Sequence, residues 1–171
     1  MQKGYTDAKS KIGRNLDRPH APIKVLGITE DTVTVEEDWQ RIRAAKEIVG
    51  EGRLAVDTNA SWDRAAALEN APRLVEAGVS WLEEPIPFED MQGLKLLCRS
   101  NHGLQIVGCE TQQGAGNFTT MLDVGALDVV QPDVGWAGGI SERVRNGAAA
   151  QAHCPPISLP CLGSAMMFAD R

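Results

Sequence analysis

The sequence lacks any apolar run approaching the roughly 20 residues that a bilayer span requires, which argues against a membrane-spanning protein. It lacks an excess of positive charge: 17 Lys and Arg against 23 Asp and Glu leave a formal charge of −6. That balance argues against nucleic acid or an anionic membrane as the main partner. The opening segment, MQKGYTDAKSKIG, has none of the apolar core of a secretory signal. Cys98, Cys109, Cys154 and Cys161 contain no CxxC pair, so a zinc site or a dithiol redox pair is not expected. They read as reduced thiols of a cytoplasmic protein. A glycine is also missing where one would matter. Gly114-Ala115-Gly116 stands between a predicted strand and a predicted helix, but Thr119 takes the third position of G-x-G-x-x-G, which argues against a dinucleotide cradle.

What is present is an alternation of short apolar runs and helical patterns. The runs are 54–56, 79–82, 104–107, 127–130 and 157–159, and residues 8–12 form a sixth candidate strand. Helix starts are expected after Asp38, Ser61, Asp90, Asn117 and Ser141, whose side chains can accept from free backbone N–H groups. Pro72 is expected to kink or split the second helix. Residues 14–36 show no period and read as an excursion after the first strand, with a short hairpin as one form. Strand followed by helix about every 25 residues indicates parallel βα units. A closed eightfold barrel needs about 250 residues, so residues 1–171 read as one domain, a partial TIM-type barrel.

The predicted strands end in acids. Asp57, Glu83, Glu110 and Asp133 follow them at intervals of 26, 27 and 23 residues (83−57, 110−83 and 133−110), one βα unit each. A lone Asp after a strand is ordinarily a turn residue or helix cap. Several carboxylates on the carboxyl face of one barrel would repel each other unless neutralised. A hard divalent cation such as Mg²⁺, which prefers oxygen ligands, would neutralise them. Lys9 and Lys11 sit at i and i+2 of the first candidate strand and so share a face. Two ammonium groups side by side lower each other's pKa, which would let one act as a neutral base.

GYTDAKSKIG, VDTNASW, WLEEP, CET and VVQPDVGWAGG, in this order and spacing, resemble the mandelate racemase and muconate lactonizing group of the enolase superfamily. The resemblance runs from Gly4 to about Ala165. It implies a (β/α)7β barrel of which this chain carries about the second to seventh strands, without the capping domain or the closing strands. It implies Mg²⁺ ligands at Asp57, Glu83 and Glu110, a base at Lys11 with Lys9 as its neighbour, and a polar substrate contact at Asn59. Asp133 resembles an aspartate that supports a histidine on the next strand. That histidine is absent; Pro160 or Cys161 stands in its place, which puts Cys161 beside the substrate, and His153 falls too early. The muconate lactonizing group has a second lysine near Asp133, where this chain has Trp136. The implied chemistry is removal of the proton α to a carboxylate through an enediolate, with dehydration of a sugar acid preferred. Racemisation or epimerisation of a hydroxy acid and a non-catalytic fragment are the alternatives. The implied partners are a small carboxylate or sugar-acid substrate and, at full length, further copies of the chain.

Overall fold

The computed structural model describes residues 6–13, 34–100, 103–153 and 156–158. The chain forms two compact units, residues 1–106 and 107–171.

In the first unit, β1 (Ala8–Lys11), β2 (Leu54–Asp57) and β3 (Val79–Glu83) pair in parallel in chain order. Parallel neighbours require a crossover between them. Helix α1 (Val35–Val49) joins β1 to β2 and α2 (Arg64–Glu76) joins β2 to β3, while α3 (Met91–Ser100) follows β3. Leu54, Val56 and Leu82 are fully buried, as are Ala67, Ala71 and Leu74 of α2. Removing these apolar faces from water is the main stabilising term of the unit.

The helix starts differ from those expected after Asp38 and Ser61. Helix α1 begins four residues before the expected start, because Thr34 and Glu37 form a reciprocal capping box: the Glu37 N–H donates to Thr34 Oγ1 at 3.2 Å, and the Thr34 N–H donates to Glu37 Oε2 at 2.7 Å. Asp38 is instead buried and accepts from the Gly13 N–H at 2.7 Å, tying α1 to the chain after β1. Gly13 has φ +78°, and a Cβ there would meet Ser61 Oγ at 2.3 Å, so glycine is required. Helix α2 is capped by Asp63, which accepts from the Ala66 N–H at 2.8 Å. It runs unbroken through Pro72. The cost of the missing N–H is absorbed by a helix face packed along Ala67, Asn70, Ala71 and Leu74. Asp90 caps α3 as expected, accepting from the Gly93 N–H at 3.0 Å.

Strand β4 (Gln105–Gly108) contains the division between the units. In the second unit its Val107 and Gly108 pair in parallel with Val129 and Val130 of β5 (Val129–Val130). Helix α4 (Ala115–Val124) lies between them in sequence and α5 (Ile140–His153) follows; the two helices pack together. They start at 115 and 140, ahead of the Asn117 and Ser141 starts expected, and the α4 N-cap is Gly114 with no side-chain cap. The Ala115 N–H donates to Glu142 of α5 at 3.1 Å, so the neighbouring helix supplies the acceptor. Gly125 closes α4 in the left-handed conformation, φ +67°. Of the expected strand at 157–159, the described residues contribute one parallel bridge, Ile157 to Val130. Leu159 and the segment 14–33, with its suggested hairpin, lie outside the described residues.

Candidate active site

Register builds the site. Ala8 faces Leu54 across β1 and β2, which places Lys9 beside Ala55 and Lys11 beside Asp57. Between β2 and β3 the pairing slips by one residue. Leu54 faces Val79, but Ala55 faces Trp81 and Asp57 faces Glu83, so Ser80 is the extra residue. Without the slip, Asp57 would face Leu82, and Glu83 would point to the opposite side of the sheet. Two rows therefore share one face: Lys9, Ala55 and Trp81, then Lys11, Asp57 and Glu83.

The two carboxylates are buried and the two ammonium groups are not: side-chain exposure is 0% and 1% for Asp57 and Glu83 against 43% and 41% for Lys9 and Lys11. Lys9 Nζ donates to both Glu83 oxygens, at 2.7 and 2.9 Å, and lies 3.7 Å from Asp57 Oδ2. Lys11 Nζ donates to Asp57 Oδ2 and, at 2.7 Å, to Asn59 Oδ1. The Trp81 indole N–H donates to Glu83 Oε2 at 3.1 Å. Burial, with the neighbouring Asp57 charge, pushes the Glu83 carboxyl above the ordinary glutamate range, and the Lys9 ammonium pulls it back.

The chain after these strands is strained. Asn59, Ala60 and Glu84 adopt φ of +46°, +56° and +43°. Non-glycine residues resist this conformation, at about 1–3 kcal/mol each. The loops hold one another there. Glu84 O accepts from the Ala60 N–H at 2.7 Å and from Thr58 Oγ1 at 2.6 Å, and Pro85 O accepts from the Trp62 N–H at 3.3 Å. The Asn59 N–H donates back to Asp57 Oδ1 at 2.9 Å, fixing that carboxylate from behind.

The remaining predicted residues lie in the second unit. Glu110 follows β4 by two residues, after Cys109 at φ +77°, and is half-buried. Asp133 is buried and accepts at Oδ1 from the N–H groups of Gly135 (2.7 Å) and Trp136 (3.3 Å), closing the turn before α5. Burial pushes the pKa of Arg143, a residue no sequence motif had singled out, below the ordinary arginine value, and the Asp133 charge opposes that. His153 is exposed at the end of α5, and Cys161 lies outside the described residues. Among the described residues, no three His, Cys, Asp or Glu side chains are grouped as metal ligands. What the structure does gather is the Asp57–Glu83 pair under two ammonium groups. Sequence reasoning missed Trp81, although its place two residues before Glu83 on a strand put it on the same face.

Parallel βα units whose strands end in buried carboxylates faced by lysines define an α/β protein of the class that builds its sites at the carboxyl ends of the strands. Residues 1–169 match the family described as Enolase C-terminal domain-like. An arabinonate dehydratase from Saccharolobus solfataricus is 36% identical over 159 residues, 90% of this chain and 42% of that protein. The crystal structure of a 3,6-anhydro-D-galactonate cycloisomerase from Zobellia galactanivorans superposes with a TM-score of 0.81 at 26% identity, over 98% of this chain and 42% of its own. A racemase from Streptomyces coelicolor with bound magnesium gives 0.78 at 26% identity, over 98% and 41%. The chain belongs to the enolase superfamily, in the mandelate racemase and muconate lactonizing enzyme family, and has the α/β fold of that superfamily's barrel domain. It spans about two fifths of the length of these three relatives.

Proposed function

We propose that this chain carries the metal- and base-bearing part of a Mg²⁺-dependent enzyme that removes the proton α to the carboxylate of a sugar acid and dehydrates it. The observation that carries this reading is the pair of buried carboxylates, Asp57 and Glu83, covered by Lys9 and Lys11. Two adjacent buried carboxylates require compensating positive charge. In this structure the ammonium groups supply it. The donor set is hard oxygen, which also fits a divalent cation, and a magnesium-bound relative is consistent with that. Asp57 and Glu83 would hold the ion, and the family pattern assigns a further carboxylate to Glu110. When bound, the ion would offset the negative charge that develops on the substrate carboxylate.

The chain's own residues then have distinct tasks. Lys11, relieved of Asp57, takes the proton from the α-carbon. Lys9, one step back on the same face, keeps a positive charge near Lys11. Asn59 accepts from Lys11 Nζ and would meet a substrate hydroxyl. We assign Asp133 an indirect part through the turn it closes. The Cβ–O bond then breaks as the Lys11 ammonium returns its proton to the β-hydroxyl, which leaves as water, and the enol that remains tautomerises to the keto acid.

Incubating the whole enzyme that carries this chain with Mg²⁺ and a panel of sugar acids in D₂O tests this. Keto-acid formation is the expected result. Deuterium uptake at the α-carbon without keto acid would favour racemisation or epimerisation, and neither signal would reject the reading.

A further inference from the structure

We propose that Trp81 is a positioning residue for Glu83, its indole N–H fixing the carboxylate in the orientation that binds a cation. The inference rests on the Mg²⁺-dependent reading above. Glu83 is the last residue of β3 and its side chain is buried, yet its donors differ in kind. Lys9 is charged, flexible and 43% exposed. Trp81 is neutral, rigid, and set by the strand itself, two residues before Glu83 on the same face. Its indole is half-buried, so water could satisfy the N–H; instead it is aimed at Glu83 Oε2, 3.1 Å away. The small side chain between Lys9 and Trp81 in that row, Ala55, leaves room for both to reach the same carboxylate.

The difference in charge gives Trp81 its role. A cation arriving at Glu83 competes with the Lys9 ammonium, because both carry positive charge into one place. It does not compete with a neutral N–H, which can keep one lone pair of Oε2 occupied throughout the exchange. Trp81 would therefore hold the carboxylate still while its ionic partner changes. Outer hydrogen bonds of this kind are typically worth 10–100-fold in metal affinity.

The test is calorimetric Mg²⁺ titration of the whole chain, with the metal-free melting temperature measured in parallel. Trp81→Phe keeps an aromatic ring and removes the donor; we expect its Mg²⁺ Kd to rise about tenfold or more. Trp81→His, at pH 8, returns an N–H the same number of bonds from the backbone and should recover most of that loss, even if both variants melt alike. Glu83→Gln serves as the reference. If Glu83→Gln fails to weaken Mg²⁺ binding, the functional reading falls and takes this inference with it. If Glu83→Gln weakens binding while Trp81→Phe binds as the wild type does, this inference alone is overturned. It is overturned in the same way if the histidine variant recovers nothing while folding normally.

Discussion

Lys11 and Asp57 occupy adjacent strands at the same level, so the base and the carboxylate it would vacate are one residue pair. Lys11→Ala should abolish α-proton exchange, a loss of at least about 100-fold. It should leave Mg²⁺ affinity unchanged or slightly tighter, because an ammonium that competes for Asp57 is gone. Deuterium exchange followed by NMR, with calorimetry on the same sample, checks both halves. Retained exchange would move the base elsewhere. The acids at 57 and 83 were legible from spacing alone, since each is the last residue of its strand. Glu110 and Asp133 stand two and three residues beyond theirs, where turn geometry rather than pleat sets direction. The shared face of Trp81 and Glu83 was legible from their i and i+2 spacing, but the hydrogen bond itself was not, because it depends on the side-chain rotamers.

Helices α1 and α2 show why boundaries were harder to read than existence. Periodicity located both, but Asp38 and Ser61 drew the starts away from the true caps because each is a good cap in isolation. The true start of α1 had a sequence signal, Thr34 with Glu37 three residues on, which outcompetes a lone Asp by satisfying two donors at once. Thr34→Ala should cost about 1 kcal/mol, and the melting temperature should fall by a few degrees. In the second unit, His153 joins the two helices: Nδ1 donates to Ala149 O of its own helix at 2.9 Å, and Nε2 to Asp123 of α4 at 2.7 Å. Both partners are acceptors, so the ring satisfies both only as an imidazolium. The Ala149 carbonyl, then the Asp123 carboxylate, raise its pKa above the ordinary histidine value. This contribution is fully present below about pH 6.5, the unfolded value, and is lost as pH rises through the higher folded value. Melting temperature measured from pH 5.5 to 8.5 should fall more steeply for the wild type than for Asp123→Asn. Parallel curves would show that the contact adds nothing to stability.

For the whole chain, the α/β class followed from the alternation of apolar runs and helical patterns, and family membership from motif order. An ion that binds only the folded state adds about 2.7 kcal/mol at 100 times its Kd, so Mg²⁺ should raise the melting temperature of the wild type. Asp57→Asn combined with Glu83→Asn should show no such rise; an undiminished rise would place the ion elsewhere. The register slip beside Ser80 has a wider consequence, which is one of parity. A strand assigns successive residues to alternate faces, so it counts in twos, and the slip adds one to the count before Glu83 is reached. What must be preserved is therefore the number of residues from Trp81 to Glu83, which equals that from Ala55 to Asp57, and not a particular side chain at Ser80. Ser80→Ala or Ser80→Thr leaves the count intact and should be tolerated. Deleting Ser80 removes the extra residue together with the slip and should leave Glu83 opposite Asp57, whereas a residue inserted between Leu82 and Glu83 would carry the carboxylate into the apolar layer with Leu82 and Val56.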